Sequence, residues 1–283
     1  MKRVLIALLV FSVVFISPAF ALNANERLWV IGEESTQPST FERSLHVLNP
    51  AGLKIREISG QWDPVPLTPP YFSVNGPWIE FVHARDSSGV YAATDKGIVW
   101  KKVFTTYGSF YVHRQNLVYM LHSGGLSKIT LLGDKAFQEK FILKSSDYGQ
   151  TADLNSRIAV DRLGRVYFSI GNHLFRYTEL TSELLDEVVD FSVLSIDTSV
   201  DKAYIAAGED GVIEVSSSFG FSEFSDLSPV NYVAVDAQGN VFAAVGNPGG
   251  NIWQIAPNGT ETPFSSLSFN SITGLAITHG ELA

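Results

Sequence analysis

The sequence has 283 residues, no cysteine and a formal net charge of −9 at neutral pH. Without cysteine the chain can form neither a disulfide nor a lipid anchor on a thiol. The excess of acidic residues argues against binding to nucleic acid or to an anionic membrane surface, because both are bound mainly through Lys and Arg. A chain of this length can still bury a sizeable core without covalent cross-links.

The first residues have the pattern of a cleavable export leader. Lys2 and Arg3 precede an apolar run, and a small-x-small cleavage signal ends at Ala21. The apolar run is shorter than the roughly 20 residues that a membrane-spanning helix needs. We therefore predict a signal peptide over residues 1–21 and export to the periplasm or the extracellular medium, with an uncleaved N-terminal anchor as the alternative.

A segment rich in proline and aromatic residues follows at 61–77. Prolines restrict the chain to extended conformations, and aromatic side chains beside them can form a recognition surface. Trp62, Tyr71 and the adjacent Trp78 are therefore candidate partner-binding residues. The alternative is a rigid connection that packs against the body of the domain.

Short alternating strands repeat along the rest of the chain, each with a small or aliphatic residue followed by an aromatic one. The mean spacing of about 43 residues is that of a four-stranded propeller blade. Turns rich in Gly, Asp and Asn separate the strands, as in successive hairpins. The repeated pairs are Leu28-Trp29, Val90-Tyr91, Val118-Tyr119, Val166-Tyr167, Ala203-Tyr204 and Val241-Phe242.

The two ends of this region predict how the ring closes. Residues 27–31 have the pattern of a second strand without an inner strand before it, and residues 272–277 that of an inner strand without a blade after it. Their pairing in one blade would remove exposed strand edges. We therefore predict an all-β fold over residues 22–283, a six-bladed β-propeller closed by pairing of the N- and C-terminal strands, with seven blades as the alternative count.

One stretch also resembles a known repeat. Residues 233–242, with 251–259 behind them, are similar to an NHL-type repeat, and residues 158–177 match nearly as well. The pattern resembles the six-bladed superfamily of gluconolactonase (senescence-marker-type) lactonases, strictosidine-synthase-like proteins and streptogramin lyases. In the lactonases the resemblance implies a metal ligated by an Asn before an inner strand, with support from the Glu of a Glu-Gly-Pro motif and from an Asp. Asn75-Gly76-Pro77 stands in place of that motif here, and an amide is a weaker ligand for Ca²⁺ or Zn²⁺ than a carboxylate.

Loops that enter the inner strands and turns between second and third strands open on one face of a propeller. We expect a ligand to bind at this channel face. Asparagines cap turns and acidic residues are common in turns, so structural roles are the alternative. The candidate ligand-binding residues are Asn75, Asn155, Asn231, Asn270, Glu34, Glu209 and Asp210.

A recurring polar residue at the end of the inner strand predicts a structural role on the opposite face. Asp161, Asp197 and Asp236 hold this repeat position, and His83 and His113 hold it in two other blades. We expect these side chains to accept hydrogen bonds within the following turn. The sequence contains no His-Glu-x-x-His motif, nucleophile elbow or phosphate-binding glycine loop.

Two functions remain open on the sequence. The first is a non-enzymatic exported propeller, monomeric and without a cofactor, that binds a protein or a small ligand as a rigid scaffold through its channel face. The second is a lactonase-like hydrolase, or a lyase, with Ca²⁺ or Zn²⁺ at the central channel.

Overall fold

The computed structural model describes residues 26–34, 44–58, 82–86, 89–94, 97–104, 109–114, 117–131, 137–153, 155–246 and 250–279. The predicted leader and the segment 61–77 lie outside these residues. So do the candidate site residues Asn75, Trp62, Tyr71 and Trp78.

The described residues form strands, with one short helix, α1 (Ser145–Tyr148). The strands, in chain order, are β1 (Glu26–Glu34), β2 (Ser44–Leu48), β3 (Lys54–Ile58), β4 (Val82–Asp86), β5 (Gly89–Thr94), β6 (Gly97–Phe104), β7 (Ser109–Arg114), β8 (Leu117–His122), β9 (Gly125–Leu131), β10 (Phe137–Lys144), β11 (Arg157–Val160), β12 (Arg165–Ile170), β13 (His173–Thr178), β14 (Glu183–Val188), β15 (Ser195–Thr198), β16 (Ala203–Ala206), β17 (Val212–Val215), β18 (Phe221–Ser225), β19 (Val230–Val235), β20 (Val241–Val245), β21 (Asn251–Ile255), β22 (Glu261–Pro263) and β23 (Phe269–His279).

Among the described residues these strands form five four-stranded antiparallel sheets and one three-stranded sheet. The four-stranded sheets are β23-β1-β2-β3, β7-β8-β9-β10, β11-β12-β13-β14, β15-β16-β17-β18 and β19-β20-β21-β22, and the three-stranded sheet is β4-β5-β6. Apart from the pairing of β23 with β1, neighbouring strands are consecutive in the chain, which is the up-and-down order of propeller blades. The fold is an all-β propeller.

The innermost strands of neighbouring sheets contact one another in order: β7 with β11, β11 with β15, β15 with β19 and β19 with β23. Each is an edge strand whose outward backbone groups need partners. Side chains of the adjacent sheet supply some of them. Thr198 Oγ1 donates to the carbonyl oxygen of Val160 at 3.0 Å, and the N–H of Val235 donates to Asp197 Oδ2 at 2.8 Å.

The predicted pairing of the two ends of the chain is confirmed. Strand β1 pairs with β23 along its length, with Trp29 opposite Ala276. Trp29 is fully buried, and Leu28 and Val30 of the same strand pack in one hydrophobic cluster with Phe242 of the neighbouring sheet. The sheet β23-β1-β2-β3 therefore contains strands from both ends of the described chain.

The repeated aromatic residues lie on the second strand of each sheet, as predicted. In four sheets the residue directly opposite, on the third strand, has a long polar side chain, and Lys128 Nζ lies 5.7 Å from the ring centroid of Tyr119. These cross-strand pairs are Tyr119 with Lys128, Tyr167 with Arg176, Tyr204 with Glu214 and Phe242 with Gln254.

The predicted turn-stabilising role is confirmed for two of the three aspartates. Asp161 Oδ1 accepts hydrogen bonds from the N–H groups of Leu163 and Arg165, both at 2.9 Å. Asp236 Oδ1 accepts in the same way from two N–H groups of its own turn, at 2.9 and 2.8 Å. The side chains of His83 and His113 lie outside the described residues.

The prediction for Asp197 is wrong. Asp197 lies opposite the aromatic residue Tyr204 inside β15, whereas the residue in the turn position is Ser199. The turn closes from Ser199 N to Lys202 O, one residue shorter than the turn that closes from Asp161 N to Arg165 O. This shorter turn places the carboxylate of Asp197 within the inner strand, where it contacts the next sheet.

Candidate functional site

The channel face is where the turns between second and third strands meet the loops that enter the inner strands. Gly208, in the β16–β17 turn, forms two backbone hydrogen bonds with Val230 at the start of β19, at 3.0 and 2.9 Å. Gly250 and Phe269 repeat this arrangement between the next turn and β23, at 2.7 and 2.9 Å. Each of these two turns is thus attached to the adjacent sheet by a pair of backbone hydrogen bonds.

Glu209 reinforces the first of these attachments. Its Oε2 accepts a hydrogen bond at 2.9 Å from Ser228 Oγ, in the loop that leads to β19. The neighbouring Asp210 is exposed, and its N–H donates to the carbonyl oxygen of Ala207 within the turn. Glu209 therefore holds two loops together, while Asp210 presents its carboxylate at the rim.

Asn231 was expected in the loop before β19 but lies within that strand. It is the extra residue of a β-bulge, since Val230 pairs with Val245 and Tyr232 with the residue immediately before it. Its Nδ2 donates to the carbonyl oxygen of Gly246 at 2.6 Å. A bulge re-aims the side chains around it, and here the amide joins the inner strand to the neighbouring turn.

Asn155 lies in the loop before β11, as predicted, and is exposed. The cap of this loop is a different residue, Asp153. Its Oδ1 accepts from the N–H of Asn155 at 2.9 Å, and from the N–H and the hydroxyl of Ser156 at 3.0 and 3.1 Å. Asn155 is thus held by its backbone, and its side chain is at the surface.

The last two candidates also lie in strands rather than in loops. Asn270 follows Phe269 in β23 and is exposed, and Glu34 ends β1 opposite Phe269. The pairing of β1 with β23 continues to Glu34, past the position where the sequence predicted a turn, and it contains two register shifts at this end.

His122 is near a serine and a glutamate on this face, but the geometry is not that of a catalytic triad. Its Nδ1 accepts from the N–H of Gly124 at 3.1 Å, so the ring proton is on Nε2. That nitrogen lies 3.1 Å from Ser127 Oγ and 3.4 Å from Glu139 Oε1. A histidine that donates towards the serine cannot take its proton, so the cluster stabilises the β8–β9 turn.

Sequence reasoning missed Arg157, the first residue of β11. Its Nε donates to the carbonyl oxygen of Leu194 at 2.6 Å, at the entry to the next inner strand, and its Nη1 donates to that of Ser156 at 3.1 Å. Burial lowers the pKa of Arg157, while Tyr232 and Asp153 favour its charged form. An arginine stays protonated even so, and a fixed positive charge therefore lies on the channel face.

The described part of the chain contains neither a metal-binding cluster nor a membrane-spanning helix. Within these ranges no group of three or more His, Asp or Glu side chains is arranged to hold a metal ion. None of the described segments is a helix of the length and apolar character needed to cross a membrane.

No protein-family model and no curated protein matches the sequence. Among solved structures, the chain is similar to a Bacteroides caccae protein of unknown function, with a TM-score of 0.55, 11% identity and coverage of 89% of this chain and 98% of that one. YCF48 from Cyanidioschyzon merolae matches with a TM-score of 0.51, 12% identity and coverage of 90% and 96%.

A third match is PorZ, an essential bacterial surface component of the type-IX secretion system of Porphyromonas gingivalis. The TM-score is 0.51 at 12% identity, over 90% of this chain and 35% of PorZ, so this chain spans about a third of that protein's length. At such identities the likeness concerns the fold alone. These matches agree with a β-propeller, and the NHL-type repeat stays a prediction.

Proposed function

We propose that this chain is an exported, monomeric six-bladed β-propeller that binds a protein or a small ligand at its channel face without catalysing a reaction. The leader pattern that ends at Ala21 supports export. The five four-stranded sheets and the three-stranded sheet among the described residues support a count of six blades.

The observation that carries the proposal is the way the channel face is fixed. The paired backbone bonds between Gly208 and Val230, and between Gly250 and Phe269, tie each turn to the next inner strand. The polar side chains of Asn231 and Glu209 are engaged in the same attachments. A surface whose loops are held in one conformation loses little entropy when it binds, which favours recognition by a rigid scaffold.

A photo-crosslinking experiment in the producing cell tests binding and identifies the face. A benzoylphenylalanine replaces the exposed Asp210 on the channel face and, in a separate variant, Leu163 on the opposite face. Leu163 is an exposed turn residue and serves as the matched control. We expect a specific adduct from position 210 that excess unlabelled protein suppresses, and no such adduct from position 163.

Adducts of equal yield at both positions, or at position 163 alone, would contradict the assignment of the binding face. Mass spectrometry of the same protein gives its N-terminus. An N-terminus at Leu22 is the result expected after leader cleavage, and retention of residues 1–21 on the exported protein would contradict a cleaved leader.

A further inference from the structure

The outermost strand of each four-stranded sheet has one backbone edge without a partner strand among the described residues. Such an edge invites pairing with another chain, and proteins commonly protect it with bulges, prolines, lysines or a short length. Four of the five outermost strands have one of these features. The pairing of β3, of β10 and of β18 with the neighbouring strand contains a register shift, and β22 has only three residues and ends at Pro263.

Strand β14 is the fifth outermost strand and has none of these features. It pairs with β13 over six residues without a register shift, and it contains neither proline nor lysine. Its last residue, Val188, is 63% exposed, and Leu180, in the turn that leads into the strand, is 93% exposed. Strand β14 is therefore a regular and accessible edge with an exposed apolar side chain near each end.

The strand register shows which backbone groups of β14 face outward. The N–H of Val189, just after the strand, donates to the carbonyl oxygen of Asn172 at 2.9 Å, and these two residues continue the register of β13 with β14. Hydrogen-bonded and non-hydrogen-bonded pairs alternate along antiparallel strands. The N–H and C=O groups of Val188, Asp186 and Leu184 therefore point away from β13, towards the open edge.

The side chains along this edge are acidic. The exposed carboxylates on β14 and just beyond it are those of Glu183, Asp186, Glu187 and Asp190. Arg176 Nη2 lies 3.8 Å from Glu183 Oε2, and His173 Nδ1 lies 3.0 Å from Asp186 Oδ1, so contacts within the sheet offset part of this charge. The edge as a whole stays negative, because Glu187 and Asp190 add two further carboxylates.

This charge distinguishes between two kinds of occupant. Like charges on directly paired strands are destabilising, so the acidic side chains oppose pairing of β14 with a second copy of the chain. The same side chains attract a segment that contains Lys or Arg. The charge on β14 therefore takes the place of a bulge or a proline against self-association, and it leaves the edge open to a basic partner.

We infer that β14 binds an extended, basic segment of a partner protein, which adds to the sheet as a fifth strand. The backbone of the partner pairs with the outward groups of Leu184, Asp186 and Val188, and its Lys or Arg side chains lie beside the carboxylates of β14. In strand addition the main-chain hydrogen bonds give affinity and the side chains give selectivity. This surface is at the outer rim of the propeller, so the inference goes beyond the function proposed for the channel face.

Binding of synthetic peptides to the purified protein tests the inference, measured by fluorescence anisotropy at low and at high salt. The probe is a peptide as long as β14 with alternating lysine and valine. One control peptide has glutamate in place of lysine. A second control keeps the lysines but has N-methyl groups on its backbone nitrogens, which removes the hydrogen-bond donors. We expect saturable binding of the lysine peptide that weakens as the salt concentration rises, and no binding of either control.

Variants of the protein locate the binding site on β14. Val188→Pro removes an outward N–H without breaking a bond to β13, and we expect it to weaken binding at least about tenfold. Glu187→Lys reverses an exposed charge and should weaken binding about threefold or more at low salt. Glu223→Lys makes the same change on β18, whose pairing contains a register shift, and should leave the affinity nearly unchanged.

Three results would each overturn the inference: no binding of the lysine peptide, equal binding of its N-methylated form, or equal losses in Glu187→Lys and Glu223→Lys. If Val188→Pro does not fold, the N-methylated peptide and Glu187→Lys decide the outcome. Sedimentation of the protein alone examines the other occupant, since a dimer that Val188→Pro dissociates would assign the edge to a second copy of the chain. Crosslinking from position 210 tests the channel face separately.

Discussion

Asp197 Oδ2, on one inner strand, accepts a hydrogen bond from the backbone N–H of Val235 on the next inner strand at 2.8 Å. The other oxygen, Oδ1, accepts from the N–H of Thr198 at 2.8 Å. The carboxylate is buried, and it connects two sheets at their inner edges. The carboxylate of Asp197 therefore supplies an acceptor to the inner strand of the next sheet.

Replacement of Asp197 tests the importance of this connection. Asp197→Ala leaves the buried N–H of Val235 without its acceptor, and we expect a loss of about 2 to 4 kcal/mol in the free energy of unfolding. Asp201→Ala, at an exposed turn nearby, is the control and should change stability by less than about 0.5 kcal/mol. Urea denaturation measures both, and similar losses in the two variants would contradict a structural role for Asp197.

The β16–β17 turn of the channel face depends on a glycine. Gly211 has φ of +75°, and a Cβ there would lie 2.2 Å from the carbonyl oxygen of Ser225. Gly164 has φ of +80° and open space around the same position. We expect Gly164→Ala to lower the free energy of unfolding by about 1 kcal/mol, because alanine is strained in the left-handed conformation. Gly211→Ala should lower it by about 1 to 3 kcal/mol more, because its Cβ also clashes with the backbone. Equal losses in urea denaturation would show that the turn can move away from Ser225.

Arg176 links two sheets at the opposite face. Its Nη1 donates at 2.5 Å to the carbonyl oxygen of Ser217, in the β17–β18 turn, and its guanidinium lies 5.4 Å from the ring centroid of Phe219. We expect Arg176→Ala to lower the free energy of unfolding by about 2 to 3 kcal/mol, since a buried charged hydrogen bond is lost. Arg162→Ala removes an exposed arginine and should be nearly neutral. Equal melting temperatures of the two variants would contradict a stabilising contact between the two sheets through Arg176.

Asp236 makes stability depend on pH. Burial raises its pKa, and the nearby carboxylate of Glu26 adds to the increase, although hydrogen bonds from Asn240 and the backbone act in the opposite direction. With the folded pKa above the unfolded one, ionised Asp236 costs stability at neutral pH. That cost is relieved as the pH falls through the folded pKa towards the unfolded value, near 4.

Asp236→Asn isolates this effect. After a flip of its amide, Asn240 can offer Oδ1, a buried atom with no hydrogen-bond partner, to the new side chain. We expect the stability of the wild type relative to the variant to increase as the pH falls from 7 to 4, as measured by urea denaturation at each pH. A difference that stays constant, or that changes in the opposite direction, would contradict the raised pKa.

Much of the fold could be predicted from the sequence because blade-forming strands are local patterns. Alternation and turn residues predicted the second strands, and the unmatched strands at the two ends predicted the pairing of β1 with β23. Asp161 and Asp236 were placed correctly because their turns have the same length. Asp197 was misplaced because the shorter turn at Ser199 changes the register without changing the local pattern of residues.

The candidate site was harder to predict, because its contacts join residues distant in sequence. The role of Arg157 depends on the carbonyl oxygen of Leu194 in the next sheet, and a single arginine at a strand start gives no local sign of it. Asn231 was predicted in the loop before β19 but lies inside that strand, because a β-bulge contains an extra residue that the alternating pattern does not show. Tertiary packing, and not strand propensity, decides both positions.

The most direct test of the central claim, a channel face that binds without metal chemistry, is a thermal melt of the chain from residue 22 onward. The melt is recorded after chelator treatment and again with Ca²⁺, Mg²⁺, Mn²⁺ or Zn²⁺. A metal that binds only the native state at 100 times its dissociation constant would add about 2.7 kcal/mol of stability. We predict no saturable shift of the melting temperature with any of these ions. A saturable shift that Asn155→Ala abolishes would contradict it and would favour a lactonase-like hydrolase.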